Sequence, residues 1–249
     1  MFEPVVCDFH AREITGLDIC IRKQLVATCS TDKTVRIWNY HTRTLEINEQ
    51  FPEEAYSVAF HPSGFHLIVG FADKLRLMNV FLNRLKPFKE IPIKICREVQ
   101  FSHGGHLFAA VNSHTIQVYH FYTGENSQGL TFKGHYGKVR CVSWFEDDFG
   151  FASAGLDGSV FEWQLKEKVA GDATLGLGSL GGGPGASASK QREHFNVKGQ
   201  NFSSVLKGYD HNLLYVVGSD RFLRAVSGKE EKRRIDAGCP LSQVCLMRN

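Results

Sequence analysis

Short runs in which apolar and polar residues alternate, or in which four to seven apolar residues follow one another, recur along the chain and are cut by Gly, Pro, Asp and Ser. Residues 14–19 lead to 25–39, residues 55–64 to 67–79, residues 99–105 to 107–111 and 116–119, and residues 134–144 to 151–163. A period of two with turn residues at both ends is the strand signal. No window keeps apolar residues at i, i+3, i+4 and i+7 over helical length, so the chain is predicted to be all-β.

The runs themselves repeat. Trp38, Met78, Tyr119 and Trp163 close equivalent runs and stand 40, 41 and 44 residues apart. A weaker fifth unit covers 201–206 and 213–224, and 234–246 reads as its end plus the start of a sixth. Polar residues also return at fixed places. Gly134-His135 opens the fourth unit, Asp157 sits in its turn and Trp163 closes its third run; Phe9-His10, Asp32 and Trp38-Asn39 match them in the first. On these residues the chain resembles the WD40 family, in which each repeat of about 40–45 residues forms one four-stranded propeller blade. The resemblance implies blades near 10–50, 51–91, 92–131, 132–166 and 192–236, with a fragment of a next blade at 237–249. Met78, Tyr119 and Ala225 stand where the tryptophan would be, and His114-Thr115 occupies the place of the third unit's turn aspartate.

From Trp163 to Ala225 is 62 residues, about twenty too many. The stretch 166–191 supplies the excess, and its Gly/Ala/Ser-rich centre has too little apolar area to order itself. It is expected to be a disordered loop between the fourth and fifth blades. The remainder makes five blades and a fragment, whereas a seven-bladed ring at this period needs about 280 residues. The expectation is a segment of a larger ring, completed by other blades of a longer chain.

Composition narrows the class. Lys and Arg number 29 against 26 Asp and Glu, a net charge of +3, which does not make the strongly basic face of a nucleic-acid binder. No apolar run approaches the ~18 residues that cross a bilayer, and Met1 to Pro4 is not followed by a secretory-type apolar stretch. Seven cysteines without a C-x-x-C pair read as free thiols of a reducing compartment. Neither a nucleic-acid nor a membrane partner is expected.

The chemistry-bearing groups have structural readings. His135, Ser153 and Asp157 invite comparison with a hydrolase triad. Yet Ser153, Asp157 and Trp163 recur at the same spacing as Thr28, Asp32 and Trp38, with His10 for His135, and a catalytic centre has no reason to repeat at blade period. Within WD40 blades such residues form a hydrogen-bonded relay, so these eight are expected to be structural tetrads. Residues 176–181 match G-x-G-x-x-G but are followed by Gly182-Gly183-Pro184-Gly185, which cannot start the helix that a dinucleotide site needs. His103 and His106 flank Gly104-Gly105 in a hairpin turn and have no zinc-like partners. Residues 229–234 mix charge signs and read as a polar turn. No catalytic residue, cofactor or metal is expected.

The segments 27–40, 54–79 and 104–112 narrow the resemblance to a family of WD-repeat proteins of motile axonemes. That likeness implies a non-catalytic scaffold on the doublet microtubule that helps anchor or assemble inner dynein arms. Its partners would be dynein-arm subunits, tubulin or other axonemal proteins, and its location the cilium or flagellum, with cytoplasm and cytoskeleton. The alternative is a generic cytosolic WD40 adaptor, a ubiquitin-ligase or signalling scaffold. In either case binding falls to loops that the blades hold. The turns before the first strands offer Arg12, Glu13, Arg97, Tyr136 and Lys138 as protein-contact candidates.

Overall fold

The computed structural model describes residues 9–165, 190–208 and 213–245. These hold twenty strands and no helix, in five four-stranded antiparallel sheets each built in chain order, the blades of a β-propeller. The first blade is β1 (Ile14–Ile19), β2 (Leu25–Ser30), β3 (Thr34–Asn39) and β4 (Thr44–Gln50). The second is β5 (Ser57–Phe60), β6 (His66–Gly70), β7 (Leu75–Val80) and β8 (Leu85–Ile91). The third is β9 (Val99–Phe101), β10 (Leu107–Asn112), β11 (Thr115–His120) and β12 (Asn126–Lys133). The fourth is β13 (Val139–Trp144), β14 (Gly150–Gly155), β15 (Ser159–Gln164) and β16 (Lys190–Asn196), and the fifth is β17 (Phe202–Lys207), β18 (Leu214–Gly218), β19 (Phe222–Ser227) and β20 (Glu230–Asp236).

First strands meet first strands, β1 against β5, β5 against β9, β9 against β13 and β13 against β17. Burial follows that order. Both faces of β5 and β14 are buried throughout, so Ser-Val-Ala-Phe and Gly-Phe-Ala-Ser-Ala-Gly read as continuous apolar or small runs. The fourth strand β4 alternates, with Ile47 buried among exposed residues. The last strand, β20, is exposed along its whole length and carries six charges in seven residues, which discourages pairing at that edge. A bulge interrupts the pairing of third with fourth strand in every blade, for example between Ile37 and Trp38 and between Leu77 and Met78. Bulges add local twist, as a propeller blade requires.

The cores lie between blades rather than inside them. Leu107, Val111, Ile116 and Phe132 of the third blade pack on Val139, Val142, Trp144, Phe151 and Trp163 of the fourth. Analogous layers join the first to the second, the second to the third and the fourth to the fifth. Cross-strand pairing identifies Ile14, Leu17 and Ile19 of β1 as the counterparts of Val139, Val142 and Trp144. The three residues of β13 are 4%, 6% and 3% exposed, whereas those of β1 are 52%, 59% and 54% exposed. The same sheet face is a core surface where a preceding blade covers it and an open apolar face in the first blade.

Four expectations are corrected. Lys190–Asn196 pairs with β15 as the fourth strand of the fourth blade, so the Gly-rich stretch interrupts that blade instead of separating it from the fifth. Its residues 166–189, including the 176–181 match, lie outside the described residues, as does the fragment's end at 246–249. Residues 237–245 form no strand; their backbone reaches the fifth blade through Ser203 Oγ to the Leu241 carbonyl at 3.4 Å and Val244 N–H to Ser204 Oγ at 3.3 Å. The mixed-charge run is mostly strand β20 rather than a turn. Finally, Leu214 faces Val226 as Phe151 faces Trp163, so Val226, not Ala225, takes the tryptophan's position.

Because the cores are layers of large side chains, truncating one should be costly. Phe108 is fully buried and stacks on Tyr119 with ring centroids 5.4 Å apart. Phe108→Ala is expected to lower unfolding free energy by about 3–5 kcal/mol. Urea denaturation checks this, and a loss well under 1 kcal/mol would mean that the interblade layer is not where the stability resides.

Candidate functional site

The strands β2, β3, β14 and β15 bring the recurring polar residues together twice. In the first blade Trp38 Nε1–H donates to Thr28 Oγ1 at 2.8 Å, Thr28 Oγ1 lies 2.7 Å from His10 Nε2, and His10 Nδ1 lies 2.9 Å from Asp32 Oδ2. In the fourth, Trp163 Nε1–H donates to Ser153 Oγ at 2.8 Å, Ser153 Oγ is 2.8 Å from His135 Nε2, and His135 Nδ1 is 3.1 Å from Asp157 Oδ1. A carboxylate can only accept, which places the imidazole proton on Nδ1 and leaves Nε2 to accept the hydroxyl proton. The hydroxyl oxygen in turn accepts from the indole. Ser153 is fully buried and the His135 side chain is 1% exposed, so no substrate reaches the oxygen that a hydrolase would use.

Each aspartate also receives backbone donors. Asp32 accepts from Ala11 N–H at 3.0 Å and Thr34 N–H at 2.9 Å, and Asp157 from Tyr136 N–H at 2.8 Å and Ser159 N–H at 3.1 Å. Burial raises the pKa of both carboxyls, yet both end below the ordinary range. Hydrogen bonds from Thr34 and His10 do this at Asp32, and the adjoining His135 imidazole, with the N–H groups of Tyr136 and Ser159, does it at Asp157. The network therefore ties the turn before the first strand to the turn between second and third.

The other blades replace the relay. Val69 with Met78 and Ala110 with Tyr119 occupy the hydroxyl and indole positions, the first pair apolar and the second with the Tyr119 hydroxyl donating to Gln117 Oε1 at 3.0 Å. The fifth blade keeps the turn aspartate, since Asp220 follows Val216 by four residues as Asp157 follows Ser153. Its partner is Arg224 of β19, a 2% exposed side chain whose Nη1 donates to Asp220 Oδ1 at 3.0 Å. The spacing to Val216 could have revealed Asp220 in the sequence, but the exchange of a histidine from a distant turn for an arginine on the next strand leaves no such trace.

The contact candidates sit on the rim beside these networks. Arg12 and Glu13 lie in the turn into β1, Arg97 in the turn into β9, and Tyr136 and Lys138 in the turn into β13; all five are exposed, Tyr136 at 97%. The Arg97 guanidinium lies over the Tyr56 ring at 5.5 Å, bridging the second and third blades. The candidates thus share one rim, on three blades. His103 and His106 both stand near Asp148, which accepts the N–H groups of His103 at 2.7 Å and Gly104 at 2.6 Å, a turn-fixing role. Among the described residues no group of three metal-ligating side chains occurs.

Two carboxyls on or just before first strands carry no sequence signature. Asp18 of β1 is pushed up to about 6 by burial, against the pull of N–H groups from Phe60 at 2.6 Å and Ile19 at 2.9 Å. Glu98, before β9, is pushed up to about 8 by burial, with Arg140 drawing it back. The thiols of Cys29 and Cys141 rise to about 11 and that of Cys96 to about 12 by burial, which leaves them unreactive.

The WD40 profile (WD domain, G-beta repeat) matches residues 4–39 and 126–164. The chain is 43% identical over 236 residues, 95% of its length, to Cilia- and flagella-associated protein 57 of Mus musculus. It is 58% identical over 165 residues, 66% of the chain, to Cilia- and flagella-associated protein 57 A of Tetrahymena thermophila. WD repeat-containing protein 1 of Bos taurus is 30% identical over 44% of the chain. The matches cover only 13% of the Tetrahymena relative and 17% of the mouse one, so the chain spans about a sixth of their length or less.

The relay should behave as a unit. Ser153→Ala and Trp163→Phe each leave a buried partner unsatisfied and are expected to cost about 1–3 kcal/mol, with the double variant costing little more than the worse single. Full additivity in urea titrations would show that the groups act separately. Asp18 makes a pH prediction of the opposite sign to Asp32 and Asp157. An unfolded aspartate ionises near 4, so its raised native value makes stability fall from about pH 4 through about pH 6. Asp18→Asn is expected to raise the melting midpoint at pH 7 relative to the parent and to change it little below pH 4; an equal shift at both pH values would refute the linkage.

Proposed function

We propose, from the premise that this is a WD40-repeat chain similar over nearly its whole length to cilia- and flagella-associated protein 57, that it acts as a non-catalytic protein-interaction scaffold of the motile cilium or flagellum. The finer reading is a propeller segment on the axonemal doublet microtubule that helps anchor or assemble inner dynein arms, with dynein-arm subunits or tubulin as partners. The observation that carries it is the 43% identity over 95% of the chain to the mouse relative, against 30% over 44% for WD repeat-containing protein 1. The site geometry supports a scaffold. Both relays hold buried hydroxyls and fix backbone turns, and the exposed groups they position, Arg12, Glu13, Tyr136 and Lys138, offer charge and a ring to a partner.

The open face of the first blade fits the same reading. An apolar sheet face whose counterparts are buried elsewhere in the molecule calls for another blade, and the remaining length of the relatives offers the sequence for one.

Crosslinking mass spectrometry on isolated axonemes tests the proposal. Crosslinks from Lys138 and its rim to tubulin or dynein-arm subunits are expected. Absence of the protein from axonemes, with crosslinks to soluble ligase or signalling subunits instead, would overturn it.

A further inference from the structure

The rim opposite the relay turns divides by charge. On the first two blades its turns are residues 20–24, 40–43, 61–65 and 81–84, which contain Arg22, Lys23, Arg43 and Arg84 and no carboxylate. On the next two, the fully described turns 102–106, 121–125 and 145–149 contain Glu125, Glu146, Asp147 and Asp148 and no Lys or Arg. Net charge conceals this division, because the halves nearly cancel.

The cationic half also holds a groove of about 860 Å³ between the first and second blades. Its floor is aliphatic, with Leu25, Ile37 and Ile47 at 7%, 0% and 3% exposure. Its walls are large apolar side chains left in solvent: Phe65 at 58%, Phe81 at 48% and Leu82 at 98%. Lys23 Nζ lies 3.7 Å from the Phe65 ring centroid and donates to the Gly64 carbonyl at 3.0 Å, which holds that wall in place and leaves its charge at the groove mouth. The one lining carboxylate, Glu46, is engaged by Asn39 Nδ2–H at 2.7 Å. Unlike the open face of β1, this groove lies between two blades that are both present, so no missing blade accounts for its exposure. Apolar residues that remain exposed around a concave surface with a cationic mouth mark an interaction site.

We infer that this groove is a peptide-docking site for an extended segment that combines bulky aliphatic or aromatic side chains with glutamate or aspartate. The aliphatic floor takes the apolar side chains, and Arg22, Lys23, Arg43 and Arg84 face the carboxylates. A single-stranded nucleic acid would need a series of free stacking rings along the path; of the two phenylalanine rings here, Phe65 is already covered by Lys23, and the floor of Leu25, Ile37 and Ile47 presents methyl groups. The assignment rests on the scaffold reading above and adds to it a second surface, on the rim away from Tyr136 and Lys138.

The test is fluorescence anisotropy with the full-length protein and a labelled peptide alternating leucine and phenylalanine with glutamate. Its lysine counterpart and a labelled oligouridine serve as comparisons. The acidic peptide is expected to bind with micromolar Kd, more weakly as salt rises, and the other two at least tenfold more weakly. Leu82→Asp and Arg22→Glu should each weaken binding at least tenfold with the melting midpoint unchanged, since both side chains are exposed, while Tyr122→Ser in the acidic half should leave it as it was. No binding, equal binding of the lysine peptide, preference for oligouridine, or indifference to Leu82→Asp would each overturn the site. Axonemal crosslinks that persist alongside such a result would leave the scaffold reading standing and remove the groove alone.

Discussion

A four-stranded sheet has two faces, and in this protein neither is buried by the sheet itself. Each blade hides its apolar residues only against the next, through layers such as Leu107, Ile116 and Phe132 on Val142, Phe151 and Trp163. Stability is therefore a sum of interfaces between neighbours. The near-continuous apolar runs of β5 and β14, the alternation of β4 and the charged β20 are consequences of how many neighbours each strand has. The first blade shows the constraint unmet: Leu17 stands in solvent at the position where Val142 is buried.

Within that frame the polar relays solve a narrower problem. Two of five blades hold a buried hydroxyl, imidazole and indole, each satisfied by the next, and both terminate on an aspartate that gathers backbone N–H groups from two turns. Blades two and three put Val69 with Met78 and Ala110 with Tyr119 in the same places, and the fifth pairs Asp220 with Arg224. The exchange is physically intelligible. A buried polar group is costly only when left without a partner, so a complete relay, an apolar pair, or a tyrosine whose hydroxyl is satisfied by Gln117 are all stable while a half-relay is not. What the relay adds is the fixed position of a rim turn, which an apolar pair cannot supply.

The surface, not the interior, separates the possible roles. Interior hydroxyls, thiols and imidazoles are engaged or sequestered, while rings and charges such as Tyr136, Leu82 and Arg22 are displayed on turns that the sheets hold rigid. The two rims differ in what they display: one carries isolated charged and aromatic groups beside the relays, and on the other a cationic, apolar half adjoins acidic turns.

The sequence by itself determined the inner strands, the repeat and the two relays, because these are local, while the charged run of β20 read as a turn. Strand periodicity is written in neighbouring residues, and Thr28–Asp32–Trp38 and Ser153–Asp157–Trp163 recur at a fixed spacing within one hairpin. Only the tertiary structure decided what depends on residues far apart in the chain. It assigned Lys190–Asn196 to the fourth blade, because a strand's sheet is set by the partner it hydrogen-bonds to and not by its distance along the chain. It placed Val226 instead of Ala225 opposite Leu214, a one-residue difference that turns a side chain to the other face. It raised Asp18 and Glu98 through burial, a property of surroundings rather than of residue type. It also gathered Arg22, Phe65 and Leu82 from turns of two blades into one groove, since proximity across a blade interface comes from sheet stacking, which no local pattern encodes.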